Sequence, residues 1–159
     1  MPFSLSVRSL GSSQLDRLIG QHVLVGQTRA ALQVRQLEGM LTGFMDLVLL
    51  FEGRYYVLDY KSNKLPGYAP AQLQQAILAH RYDVQYTLYL LALHRLLKSR
   101  LADYDYDRHV GGALYLFLRG IDQSGAGLYL DRPPKALIEA LDVAFSASPQ
   151  RAEPLEAAS

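Results

Sequence analysis

Residues 41–61 read Leu-Thr-Gly-Phe-Met-Asp-Leu-Val-Leu-Leu-Phe-Glu-Gly-Arg-Tyr-Tyr-Val-Leu-Asp-Tyr-Lys. Two runs rich in β-branched, aliphatic and aromatic residues flank Glu52-Gly53, which predicts a hairpin with a two-residue turn. Both runs are largely apolar on both faces, so the two strands are expected to be central and covered on both sides. Away from the turn the apolar character is interrupted by Asp46, Asp59 and Lys61. A two-residue turn sets Asp46 directly across from Asp59, with Cβ atoms roughly 4.5–5.5 Å apart. Lys61 follows Asp59 by two positions and therefore points to the same face.

Opposed like charges destabilise a sheet, and burial raises the cost. Either one aspartate is protonated, a cation lies between them, or the register differs. Carboxylate oxygens suit a hard cation such as Mg²⁺, which takes one or two carboxylates and keeps several waters. Such an ion polarises a phosphate and activates water. Lys61 is then placed to orient that water or to offset charge growing on the phosphate. The plainer alternative is a pair of strand-end charges, Asp59 and Lys61, satisfied by each other and by solvent.

Outward from the hairpin, residues 3–7 alternate apolar and polar and predict a short strand. A helix is expected from Ser12, with Leu15, Leu18 and Ile19 as its apolar stripe. Residues 30–39 read equally as a strand or an irregular connection. Pro66-Gly67 marks a loop after the hairpin. Helical sequence runs from about Pro70 to Leu101, with a break near His80 to Asp83, and Val84, Leu88 and Leu91 form its buried stripe. Gln85 and Tyr89 share a different face of that helix, where an amide and a phenol can hold a phosphate or support the lysine. A buried strand over 111–118, a short strand over 127–130 and a helix from Pro134 to Phe145 complete the pattern. The sum is an α/β structure with a mixed central sheet flanked by helices.

The 159 residues suit one domain with a sizeable core, half of them are hydrophobic, and 19% are charged, which excludes wholesale disorder. Lys plus Arg is 16 against 15 Asp plus Glu, a net charge of +1, so bulk charge alone does not suit the chain to nucleic acid. Cysteine is absent, which excludes disulfides and thiolate metal sites and fits a reducing, cytoplasmic compartment. No apolar run approaches the ~20 residues of a membrane helix, and no membrane association is expected.

Asp46, then Asp59-Tyr60-Lys61, then Gln85 with Tyr89 spell Asp…Asp-x-Lys…Gln-x-x-x-Tyr. In this the sequence resembles the RecB-like nuclease domains of the PD-(D/E)XK superfamily, the C-terminal nuclease domains of the RecBCD helicase–nucleases. The resemblance extends through Ala79–Asp83, Leu91–Arg95, Ala102–Tyr106 and Gly111–Gly120, and covers about residues 3–145. It implies a restriction-endonuclease-like core, with residues 1–148 as the domain and 149–159 as a flexible tail. It implies Asp46 and Asp59 as Mg²⁺ ligands, with Ca²⁺ or Mn²⁺ able to substitute, and the backbone carbonyl of Tyr60 as a further ligand. Lys61 becomes the catalytic lysine, and Gln85 and Tyr89 support the site or the DNA. The implied reaction is Mg²⁺-dependent hydrolysis of phosphodiesters at single- and double-stranded DNA ends, in recombinational repair of double-strand breaks. The implied partners are the RecC and RecD subunits, the helicase part of RecB, and the RecA recombinase.

Such nucleases also carry a metal-binding histidine on a helix upstream of the first strand. The sequence opens at that strand, and the ligand role is transferred to none of His22, His80, His94 or His109. The resemblance therefore carries a second expectation, a truncated interaction module that docks on RecBCD subunits or RecA with little or no cleavage. A junction resolvase or restriction-type nuclease is a third reading, less favoured by the extended similarity. There is no Gly-x-x-x-x-Gly-Lys-Ser/Thr loop, so ATP hydrolysis by the chain is not expected.

Overall fold

The computed structural model describes residues 11–42, 47–122 and 124–146. The strand expected over 3–7, Asp46 and the C-terminal tail lie outside the described residues. The described chain runs α1 (Ser12–His22), α2 (Val34–Leu41), β1 (Leu47–Phe51), β2 (Arg54–Lys61), α3 (Pro70–Ala79), α4 (Tyr82–Arg100), α5 (Tyr106–His109), β3 (Val110–Phe117), β4 (Leu128–Asp131) and α6 (Lys135–Ser146). The strands form one mixed sheet in the order β1-β2-β3-β4, β2 and β3 being parallel and the outer pairs antiparallel.

The hairpin closes as the sequence predicts. Its pairs run from Phe51↔Arg54 to Leu47↔Leu58 without a slip. Glu52 and Gly53 sit at φ 49° and 78°, the two positive values that a type I′ turn needs. Beyond it, β2 crosses to β3 through the α3–α4 helical pair and pairs in parallel, Asp59 lying beside Tyr115 and Lys61 beside Phe117. That register shifts once, between Tyr55 and Tyr56, where Gly111 is the extra residue. A Cβ on Gly111 would stand 2.2 Å from the Tyr56 ring, so only glycine lets that ring cross the strand.

The core lies between the sheet and α4. Val84, Leu88 and Leu91 are fully buried there, as the helical spacing predicts. Val57, Ala113, Tyr115 and Phe117 meet them from the sheet, and α1, α2, α3 and α6 pack around α4.

Two expectations need correction. The segment around residues 30–39, expected as strand or irregular, contributes α2 instead. Leu37, Met40 and Leu41 are its buried residues, an i, i+3, i+4 set that fits a helix stripe. The second concerns β1, expected to be central and covered on both sides. It is the edge of the described sheet, and Leu47, Leu49, Leu50 and Phe51 are 39–58% exposed. For Leu47, Leu49 and Phe51 the physical reason is that α4 sits on the other face, the one carrying Val57 and Tyr115. Leu47, Leu49, Tyr60, Leu128 and Leu130 point to the opposite face, and each is well exposed.

Candidate active site

Strand periodicity places Asp59 and Lys61 on the α4 face of β2, and the Lys61 ammonium lies 3.2 Å from the Asp59 carboxylate. Both side chains are largely buried, Lys61 at 14% and Asp59 at 8% exposure. The same ammonium donates to the Gln85 amide oxygen on α4 at 3.0 Å. The Tyr115 hydroxyl donates to that oxygen at 2.7 Å from β3. One oxygen thus joins three elements. With the oxygen turned toward Lys61 and Tyr115, the NH₂ end of the Gln85 amide is the part able to donate elsewhere.

Two rings complete the surroundings of the lysine. The Tyr82 ring centroid is 4.2 Å from Nζ and the Tyr115 centroid is 5.3 Å away, both within cation–π range. Tyr82 and Asn63 exchange hydrogen bonds through the phenol and the amide, at 3.2 and 3.4 Å. The loop carrying Asn63 is tied down further. Tyr68 donates to the Asn63 carbonyl and accepts from the Leu65 N–H, and Arg119 donates to the Ser62 carbonyl. Below Tyr115 lie Tyr86, edge-on at 5.7 Å, and then Tyr129. Tyr86 donates to Asp131 at 2.6 Å, and burial first, then the Asp131 charge, push its phenol far above the ordinary tyrosine range.

Of the residues proposed from sequence, Asp59, Lys61 and Gln85 are brought together. Tyr89 lies one turn further along α4, 4% exposed and within the core. The Tyr60 side chain is exposed on the opposite face of β2. Asp46 precedes Leu47 in sequence and lies outside the described residues. Among the described residues no three His, Asp or Glu side chains converge to hold a metal. The donor chemistry at Asp59 nevertheless fits a hard cation, because it offers a buried carboxylate at a strand end. Sequence reasoning missed Tyr82, Tyr115 and Asn63. Tyr82 had a usable signal, since it stands three residues before Gln85 on one helix face.

Comparison with known proteins places these residues in context. The family model of the PD-(D/E)XK nuclease superfamily matches residues 8–157. The chain is 50% identical over 153 residues to the RecBCD enzyme subunit RecB of Escherichia coli K12, covering 92% of this chain and 13% of that protein. It is 41% identical over 152 residues to RecB of Haemophilus influenzae, covering 91% of this chain and 12% of that one. Against RecB of Mycobacterium tuberculosis H37Rv it is 41% identical over 125 residues, 70% of this chain and 11% of the relative. The chain therefore spans about an eighth of the length of these relatives.

Proposed function

The chain belongs to the PD-(D/E)XK nuclease superfamily, and we propose that it hydrolyses DNA phosphodiesters as the nuclease part of a RecB-type subunit. The observation that supports this most is the junction of Asp59, Lys61 and Gln85 across β2 and α4. Asp46, Asp59 and the Tyr60 carbonyl would hold Mg²⁺, with Ca²⁺ or Mn²⁺ as substitutes. The chemistry gained from such an ion is polarisation of the phosphate and a more acidic water.

The protein groups then have separate tasks. Asp59 holds the Lys61 ammonium on one side while Gln85 holds it on the other. The ammonium so fixed faces the scissile phosphate, where it orients the attacking water or offsets growing negative charge. Tyr82 and Tyr115 present their ring faces to it, at 4.2 and 5.3 Å, and add cation–π attraction to its hold. The Gln85 NH₂ is placed to donate to a phosphate oxygen. Tyr89 supports the helix turn that carries Gln85.

Relatives named as RecBCD subunits motivate the wider proposal. In it the substrate is single- and double-stranded DNA ends, delivered by the helicase part of RecB in an assembly with RecC and RecD. RecA is proposed as a further contact, and the bacterial cytoplasm as the compartment. Among the described residues no helix is long and apolar enough to cross a membrane. Digestion of linear single- and double-stranded DNA with Mg²⁺ tests the core of the proposal. Wild type should cleave and Asp59→Ala should not; equal activity in both sinks the assignment.

A further inference from the structure

The aromatic surroundings of Lys61 continue outward. The His80 imidazole stacks on Tyr82 with centroids 5.2 Å apart and planes 18° from parallel. Tyr82 is the ring that faces the ammonium at 4.2 Å, so His80 is two ring contacts from the lysine. His80 is exposed and forms the C-terminal cap of α3. Beside it lies a cavity of about 250 Å³ between the 62–69 loop and α3. Leu65, Pro66, Ala76 and Ala79 line it with the amides Gln72 and Gln75, and His80 completes the lining. A largely apolar slot with a few amides and one exposed aromatic edge suits a flat heterocycle carrying hydrogen-bonding groups.

Two further observations favour a nucleobase over an unrelated small molecule. His80, on the lining of the slot, is linked through the Tyr82 ring to the ammonium proposed to act on the phosphate, a separation that a base and a phosphate of one strand can span. Lys64 on the same loop and Arg119, bonded to that loop at Ser62, are exposed cations that suit the neighbouring phosphates. The loop is also ordered beforehand by the Tyr68, Asn63 and Arg119 hydrogen bonds, so little ordering is left for binding to cost.

We propose that His80, stacked on Tyr82, and the adjoining cavity form a base-stacking subsite for a single-stranded nucleotide next to the scissile phosphate. This rests on the nuclease reading and deepens it. Stacking tolerates every base, because each has a π face, so the subsite confers a preference for unpaired strands without sequence specificity. A base must leave its stack in a duplex before it can occupy the slot.

The test uses the full chain, a short fluorescently labelled single strand with cleavage-resistant phosphorothioate linkages, and anisotropy. His80→Ala should weaken binding on the order of tenfold, the usual effect of losing one base–aromatic stack. His80→Phe should restore affinity to within about twofold, since the stacking face returns without the imidazole nitrogens. An abasic position in the strand should weaken wild type by a similar factor and leave His80→Ala unaffected. Equal affinities of wild type and His80→Ala, or additive losses from the abasic site and the substitution, overturn the subsite. Mg²⁺-dependent cleavage of an unmodified strand by wild type is measured alongside. Retained cleavage with a silent His80→Ala removes the subsite alone, while absence of both cleavage and binding in wild type removes the nuclease reading with it.

Discussion

The Gln85 amide oxygen accepts from two donors, Lys61 and Tyr115, that come from different strands. Removing either donor is thus a different experiment from removing the acceptor. Tyr115→Phe deletes one hydrogen bond and should cost about 1 kcal/mol of stability, with turnover reduced only a few-fold. Gln85→Leu leaves both donors without that acceptor and frees the ammonium to drift toward Asp59. Single-strand cleavage should then fall about a hundredfold, a loss of the size seen when a fixed electrostatic group is displaced. Lys61→Gln should separate binding from chemistry: calorimetry should still detect divalent metal while turnover collapses on the order of a thousandfold. Cleavage retained with metal binding lost would move Lys61 from the chemistry to the metal site. Asp59, Lys61 and Gln85 were legible because strand and helix periods place side chains by counting alone. Tyr115 was not, because a tyrosine within Gly111–Leu118 reads as core. Its place beside Asp59 depends on a parallel pairing between residues 59 and 115 that no local pattern encodes.

Among the elements, the junction of α3 and α4 decides where Gln85 stands. Arg81 occupies it in the left-handed region at φ 55°, a strained conformation for a residue with a side chain, of order 1–3 kcal/mol. Its fully buried guanidinium offsets that cost by bonding Asp83 at 3.0 Å, Asp16 of α1 at 2.6 Å and the Ala30 carbonyl. Burial works against the charge, but the bonds to Asp83 and Asp16 outweigh it, so the Arg81 pKa lies above its ordinary value. Arg29 reaches the same Asp83 at 2.9 Å. Asp83→Ala leaves two guanidiniums facing a missing carboxylate in a buried place. It should destabilise the fold by about 3–5 kcal/mol in urea unfolding. A loss below 1 kcal/mol would show that solvent readily replaces the carboxylate. The break at His80 to Asp83 was legible in the sequence as a lapse in helical spacing. The role of Arg81 was not, because its partners sit at positions 16, 30 and 83. The reading of β1 failed for a similar reason: an apolar strand does not itself reveal which face the helices take.

Across the whole molecule, the far end of α4 is joined to α6 through His94. This ring is 6% exposed, with Nδ1 2.7 Å from the Tyr104 hydroxyl and Nε2 3.7 Å from Asp142. Burial, with Lys98 and Arg95, lowers its pKa below the ordinary 6.5, and Asp142 and Glu139 only partly oppose this. The unfolded chain therefore binds the His94 proton at a higher pH than the native fold does. Stability from this group is intact above about 6.5 and falls as pH drops from there to the lowered native value. Chemical unfolding across that window should show the slope in wild type and a flatter curve in His94→Gln. An unchanged slope would assign the pH dependence to other groups.

The parallel register of β2 with β3 has a consequence in time rather than in structure. Asp59 pairs beside Tyr115 only after the whole α3–α4 crossover has been gathered in. Contacts so distant along the chain are slow to form, because the entropy of closing the loop is lost before the pairing returns anything. The hairpin and the helices can each be acquired early from local contacts. The oxygen of Gln85 that joins Lys61 to Tyr115 can be reached only at the end. Refolding followed by cleavage should thus lag behind refolding followed by helix content, with activity emerging as the last step of the fold's assembly.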